Sequence, residues 1–199
     1  MQSQNIVLVG APLDCGKASK GCLMGPDAYR TAGIASALTA LGHRVTDLGN
    51  VAPDANDIAE RDGLVNLSET IGWTTALMRT AQDAMQQGLP IFLGGDHALS
   101  LGTVPGVAAH AEAEGRPQFV LWLDAHSDFN TLETTASGNL HGTPLAYATG
   151  QGGFDGFPAL PAIVPPSQTC IIGLRSVDLP ERELMAGTGV RGYDMRAID

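Results

Sequence analysis

The chain has 199 residues, 44% of them hydrophobic, and is long enough to bury one sizeable core. Lys and Arg number 11 against 21 Asp and Glu, a formal net charge of −10, which argues against nucleic acids and membrane surfaces as partners. No apolar stretch reaches the length of a membrane span, and the first residues show no signal-peptide pattern. The three cysteines have no CxxC spacing, so we expect reduced thiols in a cytoplasmic protein.

Short apolar runs alternate with longer helix-like segments along the chain. The predicted strands are 6–9, 43–48, 91–93, 119–123, 170–174 and 190–193. The predicted helices are 26–41, 68–87 and one from about residue 99 that Pro105 is expected to interrupt. The predicted irregular segments are 50–63 and 150–167, the second a long surface loop. This alternation predicts a single domain over 1–199, an α/β fold with three layers (α/β/α sandwich) around a mainly parallel sheet.

Polar segments follow three of the predicted strands directly. They are Gly-Gly-Asp-His at 94–97, Asp-Ala-His-Ser-Asp at 124–128 and Arg-Ser-Val-Asp at 175–178. Ligands of open parallel sheets bind beyond the carboxyl ends of the strands. The sequence therefore predicts a functional site where these three strand ends meet.

The segment after the fourth strand has the composition of a metal site. Asp124, His126 and Asp128 stand at two-residue intervals, and in an extended segment such positions face the same way. Two carboxylates and an imidazole on one face could hold a divalent cation. An alternative is a solvated turn after the strand, with the acids capping a helix.

Two further motifs carry histidines towards the same edge. The glycines before Asp96 and His97 allow a tight turn, which makes His97 a plausible fourth ligand and Asp96 a structural hydrogen-bond partner. A histidine after a strand can also be simply hydrogen-bonded. The segment 137–144 contains His141, which could move protons near neutral pH; it could equally be a polar loop before a short helix.

The motifs together resemble those of the ureohydrolases, the arginase/agmatinase family. Their order and spacing match from about Ile6 onwards. The matching segments are 10–12, 25–26 with Arg30, 94–97, 124–128, 137–144 and 172–178.

This resemblance implies a binuclear manganese hydrolase that splits a guanidinium group into urea and an amine. It assigns His97 and Asp128 to one Mn²⁺, His126 to the other, and Asp124 to a position bridging both. Asp128 thereby counts among the catalytic residues, together with His141 as the proton shuttle. Oxygen and imidazole ligands without thiolate suit Mn²⁺ better than structural zinc.

The resemblance also implies a substrate-binding set. Asn130 and Ser137 match positions that hold an α-carboxylate, and Asn139 supports the same loop. Asp178 and Glu181 match positions that recognise an α-ammonium group, although they could instead be a charge pair at a helix start. This set favours L-arginine as the small-molecule substrate, hydrolysed to L-ornithine and urea, over agmatine or a guanidino acid.

The sequence departs from the family pattern in one respect. Arginases carry a later aspartate-rich motif that completes both metal sites, and nothing in this sequence matches it. We therefore expect a C-terminally truncated arginase that lacks the last strands and helices, binds Mn²⁺ weakly and hydrolyses arginine poorly. The alternative from another class is a non-catalytic scaffold. The resemblance also implies a homo-oligomer, a trimer or hexamer.

Overall fold

The computed structural model describes residues 2–197, and in this range six strands alternate with six α-helices. No helix in this range is both long and apolar enough to cross a membrane. The strands are β1 Asn5–Ala11, β2 Arg44–Asn50, β3 Leu89–Gly94, β4 Val120–Leu123, β5 Thr169–Leu174 and β6 Arg191–Asp194. The helices are α1 Gly25–Thr31, α2 Ile34–Ala40, α3 Leu67–Gln87, α4 Ser100–Ala113, α5 Pro144–Ala148 and α6 Leu179–Ala186.

The strands form two three-stranded parallel sheets. The first has the order β2-β1-β3 and the second β4-β5-β6, and every pairing is parallel. β1 is central because its apolar run is buried from Ile6 to Ala11. Within residues 2–197, β3 and β4 are not hydrogen-bonded to each other, and a cleft of about 470 Å³ lies between them. The expected parallel α/β architecture is confirmed, with its strands grouped into two hydrogen-bonded sheets.

The first predicted helix is divided in two. We expected a continuous helix over 26–41, but α1 ends at Thr31 and α2 begins at Ile34. Gly33 between them has φ 85°, a left-handed conformation that glycine adopts without steric cost and that ends a right-handed helix. The predicted start is confirmed, with Pro26 in the first turn.

The expected interruption at Pro105 is wrong, because α4 continues through it from Ser100 to Ala113. This part of α4 is buried and packs closely along α3. A Cβ atom added to Gly102 would lie 2.5 Å from the carbonyl oxygen of Thr74, and one added to Gly106 only 2.3 Å from that of Met78. The close packing of the two helices stabilises a helical backbone at the proline, where local propensity alone predicts a break.

The segment 150–167 is irregular as predicted, but it is not confined to the surface. Val164 is fully buried and Ala162 nearly so. Phe154 and Phe157 pack against Tyr147 of α5, with ring centroids 5.1 and 5.2 Å from the tyrosine ring. These side chains contribute to the core, so the segment is a packed connection between α5 and β5.

Candidate metal centre and the adjoining pocket

The polar segments that follow β3, β4 and β5 meet at one pocket, as the strand ends predict. The pocket has a volume of about 400 Å³, and every site residue proposed from the sequence lines it. These residues are His97, Asp124, His126, Asp128, Asn130, Ser137, Asn139, His141, Asp178 and Glu181.

Three of these side chains place candidate metal-ligand atoms together. Ligand atoms of His97, Asp124 and Asp128 all lie within 4.8 Å of one another. His97 Nδ1 is 3.2 Å from Asp124 Oδ2 and 2.9 Å from Asp128 Oδ2. Asp128 Oδ2 is buried and accepts no hydrogen bond within the described residues, so its short contact with His97 lacks hydrogen-bonding geometry. Such an oxygen is costly to bury, and a divalent cation between the three side chains would compensate it. The donors present therefore fit a metal ion.

His97 is held in place by its neighbours on both sides. Asp96 Oδ1 accepts a hydrogen bond from Ala98 N at 2.8 Å, which starts the short 3₁₀ turn that carries His97. Asp96 Oδ2 accepts another from Gly16 N at 2.9 Å, so Asp96 has the structural role expected of it. The imidazole of His97 stacks on Trp122 of β4, with ring centroids 4.6 Å apart. These contacts fix the orientation of the ring towards the carboxylates.

The segment 124–128 is a tight turn, not the extended segment on which the spacing argument depended. β4 ends at Leu123, and Asp124 Oδ1 accepts a hydrogen bond from His126 N at 2.8 Å, which turns the chain. Asp128 then adopts φ 49°, a left-handed conformation uncommon outside glycine. The carboxylates of Asp124 and Asp128 converge because of this turn and not because of strand alternation.

His126 stands apart from the three clustered side chains. Its Nδ1 lies 3.3 Å from Asp124 Oδ1, while Asp124 Oδ2 faces His97. The His126 side chain is 62% exposed. Asp124 thus lies between the two histidines, one at each carboxylate oxygen.

The pKa values of the two half-buried histidines of the pocket shift in opposite directions. Burial alone would lower the pKa of His97, but the close Asp128 carboxylate and the charges of Asp128 and Asp124 outweigh it and raise the pKa. Burial lowers the pKa of His141, although the charges of Asp96 and Asp128 oppose the shift. Without a bound metal, His141 is therefore the more readily neutral imidazole, and its backbone N–H donates to Gly16 O at 2.9 Å.

Polar residues line the rest of the pocket, and most already have protein partners. Asn130 Oδ1 accepts from Thr134 Oγ1 at 2.9 Å, and Asn139 Oδ1 accepts from Ala18 N at 3.0 Å. Ser137 Oγ accepts from Asn139 N at 3.3 Å. Glu181 is 4% exposed and its carboxylate accepts three hydrogen bonds, including one from Asp178 N at the start of α6. For Glu181 these contacts match the helix-start alternative.

Sequence reasoning missed three residues of this site. Thr135 and Ser176 line the pocket, and Trp122 supports His97. For the first two residues the sequence signal was position: Ser176 lies within the polar segment 175–178, and Thr135 lies two residues before the segment 137–144. For Trp122, the signal was its place in β4 two residues before Asp124, which follows the strand.

Comparison with known proteins agrees with this geometry. The family model described as "Arginase family" matches residues 4–199. The chain belongs to the arginase family. It is 54% identical over 195 residues to an arginase of Brucella melitensis biotype 1, covering 96% of this chain and 64% of that relative. The chain thus spans about two thirds of the length of the arginases it matches.

Solved arginase structures have the same fold. The native arginase structure from Bacillus caldovelox superposes with a TM-score of 0.84 at 36% identity, over 98% of this chain and 66% of that one. The Entamoeba histolytica arginase in complex with L-ornithine gives a TM-score of 0.84 at 27% identity, over 100% of this chain and 67% of that one. The structural comparison therefore agrees with the assignment to the arginase family.

Proposed function

We propose that this pocket serves the hydrolysis of L-arginine to L-ornithine and urea, with Mn²⁺ as the metal. The observation that carries the proposal is the convergence of ligand atoms of His97, Asp124 and Asp128, which includes a buried Asp128 oxygen that accepts no hydrogen bond within the described residues. His126 contacts the other oxygen of Asp124, which suits the two-metal arrangement that the family resemblance implies. Bound Mn²⁺ would lower the pKa of a water molecule. The resulting hydroxide could then attack the guanidinium carbon of arginine near neutral pH.

The residues around this centre suit each end of an arginine molecule. Neutral hydrogen-bonding groups of Asn130, Ser137 and Asn139 line the pocket and can hold an α-carboxylate beside acidic metal ligands without adding charge. Asp178 at the start of α6 can pair with the α-ammonium group. The Entamoeba histolytica arginase was solved in complex with L-ornithine, which carries the same α-amino-acid end as arginine, and this supports an α-amino-acid substrate for the pocket.

His141 is the group proposed to move the proton. Burial lowers its pKa, which keeps the imidazole neutral and able to accept a proton near pH 7. The protonated ring can then donate to the departing amine of ornithine. The water thus supplies its oxygen to urea, and both of its protons end on the departing amine, which leaves as the ammonium group of ornithine.

Metal titration of the 199-residue chain, combined with a substrate panel, tests this proposal. Mn²⁺ is expected to raise the melting temperature, because it binds only the folded state. Asp128→Asn should weaken Mn²⁺ binding at least about tenfold. Asparagine is chosen because it tolerates positive φ better than alanine. Asp57→Asn, at an exposed loop position, is the matched control.

The substrate panel compares urea release from arginine and agmatine. Arginine should give the faster release even if the absolute rate is low; the reverse order would show that Asn130, Ser137 and Asp178 had been assigned wrongly. No stabilisation by Mn²⁺ and no urea release would favour the scaffold alternative. The homo-oligomeric state and the cytoplasmic location stay predictions; light scattering on the purified chain tests the former.

A further inference from the structure

The Glu181 carboxylate connects α6 to the turn that carries the candidate ligands. Its Oε1 accepts from Ser127 Oγ at 2.6 Å and from Phe129 N at 2.9 Å, and its Oε2 accepts from Asp178 N at 2.9 Å. Glu181 is 4% exposed, and Ser127 and Phe129 are fully buried. A carboxylate buried in this way needs such donors, and here all three come from the two segments that line the pocket.

The two partners of Glu181 Oε1 stand on either side of Asp128. Asp128 has φ 49°, which costs free energy for a residue with a side chain and persists only where the surroundings impose it. The carbonyl oxygen of Asp128 accepts hydrogen bonds from Leu145 N and Ala146 N at the start of α5. Glu181 holds the residues before and after Asp128, and the start of α5 holds the Asp128 carbonyl oxygen. These two sets of hydrogen bonds together fix the left-handed conformation of Asp128.

We infer that Glu181 is a positioning residue, not a substrate contact: it holds Asp128 in its left-handed conformation and so aims the Asp128 carboxylate at His97. This inference rests on the proposed function, because it concerns the same metal centre. Both oxygens of Glu181 already accept hydrogen bonds from the protein, so contact with an ammonium group would compete with these bonds.

The same carboxylate also links the two ends of the pocket. Its Oε2 fixes the backbone of Asp178, the residue proposed to meet the α-ammonium group, while its Oε1 fixes the turn around Asp128. The distance between Asp128 at the metal centre and Asp178 at the proposed α-ammonium position therefore depends on the buried side chain of Glu181. A change at Glu181 should disturb metal binding before any substrate is present.

Glu181→Gln, with Glu183→Gln as the matched control, tests this role. Glu183 lies on the same helix and is exposed, so the same substitution there leaves the turn untouched. The amide of glutamine cannot accept from all three donors, and its NH₂ would face either Asp178 N or Phe129 N. Two readouts are needed: hydrogen exchange of the Phe129 amide in metal-free protein, and the Mn²⁺ dissociation constant by electron paramagnetic resonance well below the melting temperature.

Glu181→Gln is expected to remove the exchange protection of Phe129 and to weaken Mn²⁺ binding by about tenfold or more, as for other groups that orient metal ligands. Ser127→Ala, which removes one donor only, should give a smaller effect in both measurements. Protection equal to the wild type, or lost protection with an unchanged Mn²⁺ dissociation constant, would overturn the inference. If the wild type itself binds no Mn²⁺, the proposed function fails, and the exchange measurement alone decides whether Glu181 holds the turn.

Discussion

The Arg30 guanidinium ties α1 to β2 through a bidentate contact with one carboxylate. Its Nε and Nη2 donate to the two oxygens of Asp47 at 2.8 and 2.9 Å, and Nη2 also donates to Gly49 O at 3.0 Å. The hydrogen bonds from Arg30 lower the pKa of Asp47 against the opposing effect of burial, and a bond from Gly49 N adds to the shift. This pair joins α1 and β2, of which only Pro26 is buried.

Folding lowers the pKa of Asp47 from its unfolded-state value near 3.8. The ionised carboxylate therefore stabilises the fold fully at pH values above that unfolded-state pKa, and this stabilisation is lost as the pH falls through the folded-state pKa. Asp47→Asn should lower the free energy of unfolding at pH 6 by roughly 0.5–1 kcal/mol, since the pair is partly exposed. At pH 3 the loss should be smaller. Urea unfolding at both pH values measures the difference.

Asp57→Asn serves as the comparison for this pH effect, because Asp57 is exposed. It should change stability little at either pH. An equal loss for Asp47→Asn at pH 6 and pH 3 would show that the ion pair is not responsible.

At the scale of elements, α3 and α4 pack at backbone distance from each other. Gly102 and Gly106 of α4 face the backbone of α3, and Pro105 lies between them without breaking the helix. Small residues at these positions allow the two helices to approach at backbone distance. This contact explains why a stretch with two glycines and a proline is helical here although its intrinsic helix propensity is low.

Gly106→Ala should therefore destabilise the fold, even though alanine favours a helix. The new Cβ would lie 2.3 Å from Met78 O, a backbone atom that cannot move without shifting α3. We expect a loss of about 1–3 kcal/mol in the free energy of unfolding, as for overpacked cores, measured by urea titration. Gly152→Ala is the control, since an added Cβ there meets nothing within 4 Å. A stabilised Gly106→Ala variant would contradict this account of the helix contact.

At the scale of the whole molecule, the two sheets leave the edges of β3 and β4 facing a cleft. One face of the chain around β4 exposes Phe119, Leu121 and Leu123, at 67%, 60% and 72%. Trp122, between the last two, points the other way and is buried. Adjacent exposed apolar side chains on an edge strand are typical of surfaces that associate.

We expect the purified 199-residue chain to self-associate in a concentration-dependent way through this face. The double substitution Leu121→Lys and Leu123→Lys should reduce the association, because charge on an edge strand opposes pairing. Sedimentation velocity over a range of concentrations measures it. Leu41→Lys, at an exposed leucine after α2, is the control and should leave the association unchanged. Association that survives the β4 substitutions would place the contact elsewhere.

The sequence by itself determined most of the local elements and the residue types that line the pocket. Strand 170–174 was predicted from its apolar run and is observed as Thr169–Leu174, and the helix predicted over 68–87 is Leu67–Gln87. All predicted site residues line one pocket because they belong to polar segments after the strand ends, to the loop before α5 or, for Glu181, to the first turn of α6. Such features depend on side-chain type and on neighbours a few residues away, which a single sequence displays.

Only the tertiary structure decided the features that depend on distant contacts. Pro105 remains in a helix whose neighbouring residues Gly102 and Gly106 pack closely on α3, and β3 and β4 fall into separate sheets. Trp122 orients His97, and Glu181 holds Phe129 from 52 residues further along the chain. Asp128 adopts a left-handed conformation that no local preference of an aspartate requires. The free energy that fixes these choices comes from packing and from buried hydrogen bonds between remote segments, and local propensity does not encode such partners.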